Sequence, residues 1–295
     1  MFTKCFLIAG PTASGKSRLA LRLAKLHNGV IINADSMQVY EGLAVLTACP
    51  SREELSEACH LLYNYVLPTE AYDVGKWIRD VKQQLNLYKN QPIIFVGGTG
   101  LYFKALLGGL SQIPEVSPQI REKWRYLLQE EGSEKLHLLL QKCDPTIAQR
   151  VSVTDGQRIV RALEVFDMTK KPLSYFQQQK SEMCLRDYHV EKILVTLERP
   201  VLYHNIENRF DKMMQMGALE EVKAFLNYDL PLSASAMKAI GVLEMKNYLS
   251  GEYSLEEAIL RSKVRTRQYA KRQLTWFRNQ FDNSWKAYNS DVIIE

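Results

Sequence analysis

The stretch Cys5-Phe6-Leu7-Ile8-Ala9-Gly10-Pro11-Thr12-Ala13-Ser14-Gly15-Lys16-Ser17 decides the fold. An apolar run of strand length meets a Gly-rich turn, and an amphipathic helical pattern over 17–27 follows at once. The turn matches G-x-x-x-x-G-K-[ST] and sits where that motif has a mechanism, between a buried strand and a helix. Gly10 and Gly15 allow successive N–H groups to turn inward and form an anion nest at a helix N-terminus. Lys16 is expected to reach terminal phosphate oxygens, and Ser17 to offer its hydroxyl to Mg²⁺. Gly10 to Ser17, with Pro11, Thr12, Ala13 and Ser14, is therefore the expected diphosphate site. The motif does not say which molecule carries the phosphates. ATP in a small-molecule kinase is the usual reading, although the chain has no N-K-x-D and no apolar strand ending in Asp-Glu.

Outward from this turn, 30–33 and 92–96 read as further buried strands, and 75–88 and 101–107 as helices, a βαβ order that implies a parallel sheet. From about Ile113 the texture changes. Pro114 and Pro118 punctuate the chain, helical patterns follow at 119–129, 134–141 and 156–168, and no strand is evident until 192–197. The expected fold class is α/β: a P-loop NTPase-like core with a parallel sheet flanked by helices, formed by 1–112 and 188–295, and interrupted by an all-helical insertion at 113–187. Beyond Pro200 the pattern is helical throughout, over 202–216, 218–227, 234–249 and 255–281.

With 295 residues, 46% of them apolar, the chain has ample material for a core, which excludes disorder and disulfide-scaffold readings. Its longest apolar runs fall far short of the ~20 residues of a membrane span, and no secretory leader is expected, since the chain runs almost at once into the Gly-rich turn. No membrane association and a cytoplasmic location are expected. Cys5, Cys49, Cys59, Cys143 and Cys184 are too scattered for a zinc site or a disulfide framework. Seven of the 38 Lys and Arg residues lie between Arg261 and Arg278, where no acidic residue occurs, leaving 31 basic against 33 acidic elsewhere. Such a segment fits a polyanion site and a solvated helix face equally well. At ~100° per residue, Arg261, Arg265 and Arg272 fall on one side of that helix, and Lys263, Arg267, Lys271 and Arg278 on another.

Two further turns belong beside the phosphate loop, because the carboxyl ends of parallel strands share one crevice. Asn33-Ala34-Asp35-Ser36-Met37-Gln38 follows the second strand, and Gly97-Gly98-Thr99-Gly100-Leu101-Tyr102 follows the third. Asp35 either holds Mg²⁺ through water, accepts a proton from a nucleophile, or merely caps its own turn. Thr99 is placed to hydrogen-bond a phosphate or the incoming nucleophile.

Taken together, GPTASGKS, NADSMQVY, GGTGLY, the Asp155-x-x-Arg158-x-x-Arg161-Ala162-Leu163-Glu164 helix, AMKAIG and Arg267-Gln268-x-x-Lys271-Arg272-Gln273-x-Thr275-Trp276-Phe277-Arg278 resemble the tRNA dimethylallyltransferase (tRNA isopentenyltransferase) family, in its compact bacterial form. The motifs run from residue 10 to 278, nearly the whole chain. The resemblance implies transfer of a dimethylallyl group from dimethylallyl diphosphate to N6 of the adenosine immediately 3′ of the anticodon, with Mg²⁺ as cofactor, by a monomer. It implies that the phosphate loop holds the isoprenoid diphosphate, that Asp35 is the general base, and that Thr12, Thr99 and Arg209 serve the reacting end. It further implies tRNA contacts by Asp35, Ser36, Met37, Gln38 and Thr99; by Arg121, Gln157, Arg158, Ile159, Val160 and Arg161; and by Lys271, Arg272, Gln273, Leu274, Thr275, Trp276, Phe277 and Arg278. Base stacking and core packing remain open for Trp276 and Phe277. Where the family typically has G-T-A-K-P, this chain reads Leu46-Thr47-Ala48-Cys49-Pro50, and paired histidines are reduced to Cys59-His60. No functional residue is assigned within 46–73, and His60 is read as structural.

Overall fold

Among the described residues six parallel strands lie side by side: β1 (Thr3–Ala9), β2 (Val30–Asn33), β3 (His60–Leu61), β4 (Ile93–Gly97), β5 (Tyr188–Thr196) and β6 (Lys286–Asn289), in the order β3-β2-β4-β1-β5-β6. The computed structural model describes residues 2–108, 111, 113–179 and 183–289. Cys5, Leu7, Ala9, Ile32 and Phe95 pack on one face of the sheet, and Phe6, Ile8, Ile31, Ile94 and Val96 on the other. Burial on both faces explains why these strands read as unbroken apolar runs rather than alternating ones.

The helices around the sheet are α1 (Lys16–His27), α2 (Arg52–Glu57), α3 (Val74–Leu87) and α4 (Gly100–Gly108). A helical stretch follows with α5 (Pro118–Cys143), α6 (Pro145–Ala148), α7 (Gly156–Thr169) and α8 (Leu173–Gln178). After β5 come α9 (Arg199–Gln215), α10 (Ala218–Phe225), α11 (Val242–Leu249) and α12 (Leu255–Gln280). None of the described helices is long and apolar enough to cross a membrane.

The chain divides into two compact units, one of Met1–Leu107 with Cys184–Glu295, the other Gly108–Met183. These limits lie slightly before the 113 and 187 expected from composition; Gln112, the expected end of the first core segment, lies outside the described residues. The second unit has its own core, with Leu136 and Leu140 of α5 against Ile159 and Leu163 of α7. Its buried Asp144 caps two helices, one carboxylate oxygen accepting the Ile147 N–H at 3.1 Å and the other the Ser174 N–H at 2.9 Å.

The chain beyond Pro200 is not wholly helical, as β6 completes the sheet. Lys-Ala-Tyr-Asn is an edge strand with mostly exposed side chains, so it carries no apolar signal. The helix expected over 234–249 is a 3-10 turn at Ala236–Lys238 followed by α11, because Gly241 between them takes φ +104°, outside the helical region. The two helices expected at 119–129 and 134–141 are arms of α5 meeting at Gly132, whose φ of 76° breaks the helical path.

The turns after β2 and β4 are interlocked. Ala34 N–H donates to Val96 C=O at 2.8 Å, and Thr99 N–H donates back to Ala34 C=O at 3.2 Å. Fully buried Trp77 donates its indole N–H to Asn33 C=O at 3.0 Å and stacks on Tyr102 at 4.0 Å. A methyl group on Gly97 would stand 2.0 Å from the Ala34 carbonyl oxygen, so only glycine fits. Gly97→Ala should lower unfolding free energy by about 1–3 kcal/mol, the usual cost of overpacking. Urea denaturation reads this directly; an unchanged midpoint would contradict the interlock.

Candidate active site

The phosphate loop turns at the carboxyl end of β1 into the N-terminus of α1 and opens on a cleft of about 470 Å³. Ala13, Ser14, Gly15, Lys16 and Ser17 form its floor. Ala13 is held at φ 63°, a strained value for a residue with a side chain. Lys16 donates from Nζ to Pro11 C=O at 3.2 Å. Burial lowers its ammonium to about 8; Asp35 counters this, and the charge of Arg209 adds to it. The Ser14 hydroxyl is buried without a hydrogen-bond partner among the described residues. A desolvated lysine with reduced affinity for its proton and a buried hydroxyl at the same floor describe a cradle built for oxyanions.

The wall opposite the loop comes from α9, where Asn205, Asn208, Arg209 and Lys212 share one helical face. Arg209 lines this cleft and also a second cavity of about 320 Å³. Its guanidinium, also desolvated, is lowered to about 10, Asp35 again opposing the shift. It donates to the Thr12 hydroxyl, whose side chain lines the second cavity. Asp35 and Ser36 line that cavity too, with Met37, Ile206, Phe210 and Met213 as apolar wall.

Asp35 is oriented by its own turn: its N–H donates to Asn33 Oδ1 at 2.7 Å, and its Oδ1 accepts the Met37 N–H at 3.0 Å. Thr99 accepts the Ser36 N–H at 2.9 Å, tying the third turn to the second. The structure thus brings Thr12, Lys16, Asp35, Ser36, Thr99 and Arg209 to one sheet edge. Two cavities meet at Arg209: one rich in cations and N–H groups, the other walled by apolar side chains with a carboxylate at hand.

Several residues expected at an RNA surface are elsewhere. Ile159 and Val160 are 0% and 5% exposed and pack inside the second unit, because they occupy the inner face of α7. Phe277 is 1% exposed and belongs to the sheet core, which resolves its open reading toward packing. Trp276 is half-buried, covers Gly100 and has an edge in the exposed groove of Lys271, Arg272 and Thr275. Leu274 packs beside Leu202, Ile206 and Ala270. Gln273 is buried, with both ends of its amide bonded to backbone atoms of the loop and the Thr99 turn. Gln38 lines the phosphate cleft, its amide nitrogen donating to the Thr47 and Ala48 carbonyls at 2.9 and 2.8 Å. Gln157 and Arg158 are exposed on α7; Arg158 pairs with Asp155 at 3.4 Å and half-buried Arg161 with Glu164 at 3.5 Å. Arg121 lies half-buried on α5.

The basic segment divides along α12 rather than around it. Arg261 pairs with Glu257, Lys263 with Asp211, Arg265 with Glu244 and Arg267 with Glu207. Among the described residues no carboxylate pairs with Lys271, Arg272 or Arg278, all exposed. Angular spacing alone did not reveal this, since the acidic partners of Lys263, Arg265 and Arg267 lie on other helices.

Residues 46–73, assigned no function from sequence, supply a wall of the phosphate cleft through Cys49, Glu54, His60 and Tyr63. Asn205, Asn208 and Lys212 were also missed, although their spacing around Arg209 on one helix face was a usable signal. No group of three or more His, Cys, Asp or Glu residues suited to a metal exists among the described residues. Exposed Ser17 at the loop end fits Mg²⁺ nonetheless, because that ion keeps several waters and takes further oxygens from bound phosphates.

Lys16 should make anion binding depend on pH. Its ammonium is present below about pH 8 and lost above it, while a bound diphosphate favours the charged form and raises the value. Affinity for an alkyl diphosphate should therefore be flat below about pH 8 and fall by up to about tenfold per unit above it, with proton uptake on binding. Calorimetric titration measures this, and Lys16→Met should remove the step; constant affinity in the wild type up to pH 10 would contradict the assignment.

Residues 38–280 match the family model described as IPP transferase. The chain is 52% identical over 287 residues to a protein of Sinorhizobium medicae (strain WSM419) named tRNA dimethylallyltransferase, with 96% of this chain and 94% of that one covered. It is 51% identical over 282 residues to a tRNA dimethylallyltransferase of Agrobacterium fabrum, covering 95% and 94%. Among solved structures, the full-length tRNA isopentenylpyrophosphate transferase of Bacillus halodurans superposes with a TM-score of 0.68 at 34% identity, over 99% of this chain and 91% of that one. A eukaryotic dimethylallyltransferase captured acting on tRNA gives 0.83 at 27% identity, over 97% and 74%. With these relatives aligned along nearly its full length and a sheet edge that carries the loop, Asp35 and Arg209 together, the chain belongs to the IPP transferase family.

Proposed function

We propose that this enzyme transfers the dimethylallyl group of dimethylallyl diphosphate to N6 of the adenosine immediately 3′ of the anticodon in tRNA, releasing pyrophosphate. The observation that carries the reading is the meeting of two cavities at Arg209, with Lys16 in one and Asp35 in the wall of the other. Reactants held on either side of such a junction need only a short approach of N6 to the allylic C1.

The loop N–H groups, Lys16 and Arg209 bind the diphosphate and stabilise the negative charge that grows as the C1–O bond breaks. The N6–C1 bond forms, and Asp35 takes the proton that N6 gives up. Arg209 also holds the Thr12 hydroxyl at the junction. The Ser17 hydroxyl would hold a Mg²⁺, which would supply neutralising charge for the leaving diphosphate. The apolar wall of Met37, Ile206, Phe210 and Met213 keeps water from the allylic cation.

Adenine inside a stack cannot reach Asp35, so the nucleotide flips into the second cavity. Lys271, Arg272 and Arg278, without carboxylate partners among the described residues, and the exposed edge of Trp276 supply phosphate and stacking contacts for the anticodon arm. Gln157, Arg158, Arg161 and Arg121 add polar and cationic contacts from the second unit. Such an enzyme works as a cytoplasmic monomer. ATP in a kinase would give these cations of α12 no task.

Mass spectrometry of nucleosides tests the reading: unmodified tRNA incubated with enzyme, donor and Mg²⁺ should yield N6-dimethylallyladenosine. Asp35→Ala should bind tRNA within about twofold of wild type and turn over at least about 100-fold more slowly, as expected for a general base. Phosphate transfer from ATP without prenylation would overturn it.

A further inference from the structure

The inner face of α12 carries Ala258, Ser262, Thr266, Ala270, Gln273 and Phe277, all buried. Small side chains bring the helix close to the core. Ser262 and Thr266 satisfy their hydroxyls on the carbonyls four residues back, at 2.8 Å each. Gln273 breaks this self-contained pattern. Its Oε1 accepts the Thr12 N–H at 2.9 Å, and its Nε2 donates to the Gly98 carbonyl at 2.9 Å. One primary amide thus joins two strand-to-helix turns, and only a group with an acceptor at one end and a donor at the other fits the gap.

The approach is tight. A methyl group on Gly98 would lie 2.1 Å from Gln273 Nε2 and 3.4 Å from Asp35 Oδ2, so the amide, the Gly98 backbone and the carboxylate crowd one point. One helical turn earlier, Tyr269 lines the cavity that contains Asp35. Burial holds its phenol well above the ordinary value, so it stays neutral.

Resting on the prenyl-transfer reading above, we propose that Gln273 is a positioning residue: it fixes the phosphate loop against the Thr99 turn, so that Thr12, Thr99 and Asp35 face the reacting carbon and nitrogen together. Gln273 contacts no RNA. The same helix therefore has two tasks, with Lys271, Arg272 and Arg278 outward to the nucleic acid and Gln273 with Tyr269 inward to the reacting groups.

Two variants separate this from a structural or RNA-binding role. Gln273→Met removes both hydrogen bonds. In single-turnover assays at saturating tRNA and donor, well below the melting temperature, its rate should fall about 100-fold, the scale of a displacement of about 1 Å. Its Kd for tRNA should stay within about twofold. Gln273→Glu keeps the acceptor for Thr12; ionised, it sets a carboxylate against the Gly98 carbonyl, whereas protonated it regains the donor. Asp35, Tyr269 and Arg209 are the ionisable groups around this gap, and the wild-type rate at each pH is the reference. The ratio to that reference should climb as pH falls from about 8.5 to about 6, across which burial beside a carbonyl protonates the new carboxyl.

Weakened tRNA binding with a normal saturated rate, or a Gln273→Glu ratio flat in pH, would overturn the proposal. Should the wild type itself make no product, the prenyl-transfer reading fails separately. Calorimetry with inorganic pyrophosphate then still decides, since loss of the Thr12 anchor should weaken binding at least about tenfold in Gln273→Met, and unchanged binding would refute the role.

Discussion

Lys16 and Arg209 are half-buried in the lining of one cleft, and Asp35 is the carboxylate that opposes both shifts. Desolvation works against each charge, which is why the lysine falls to about 8 and the arginine to about 10. A cleft of this kind gathers positive charge in a poorly solvated place. A diphosphate, in the function proposed above, would relieve it, and relieve it further as a bond to carbon breaks and more charge collects on oxygen. The fold accepts an electrostatic cost without ligand and recovers it in the transition state.

The remaining architecture keeps that charge in register with the acceptor. Parallel strands end at one edge, so turns distant in sequence lie side by side. The close passage of Gly97 over Ala34 locks the Asp35 and Thr99 turns together, and the Gln273 amide locks the phosphate loop to the same pair. Arg209, from a helix more than a hundred residues later in the chain, closes both cavities. The diphosphate and the base can thereby occupy separate chambers, with the Thr12 hydroxyl at the opening between them.

The central strands were legible because both their faces are buried, which makes Cys5–Ala9 and Ile93–Val96 continuous apolar runs. The loop was legible because its glycines and lysine are required by anion binding itself. β6 was not, since an exposed edge strand reading Lys-Ala-Tyr-Asn has no apolar period. The motif around residues 271–278 pointed to RNA as a block, yet a helix buries one side in every turn, and Gln273 and Phe277 took that side. Ile159 and Val160 went inward on α7 for the same reason. The wall made by Cys49, His60 and Tyr63 was not assigned, because its segment departs from the family pattern at Cys49 and at Cys59-His60.

The central claim is that the leaving group and the acceptor base occupy two cavities joined at Arg209. A crystal structure with an unreactive thio-diphosphate analogue of the donor and a tRNA anticodon stem-loop tests it most directly. The account predicts phosphates on the backbone N–H groups of residues 13–17 with Lys16 and Arg209 in contact, and a flipped adenine whose N6 faces Asp35. A base still stacked in the RNA, or an adenine seated in the phosphate cleft, would contradict it.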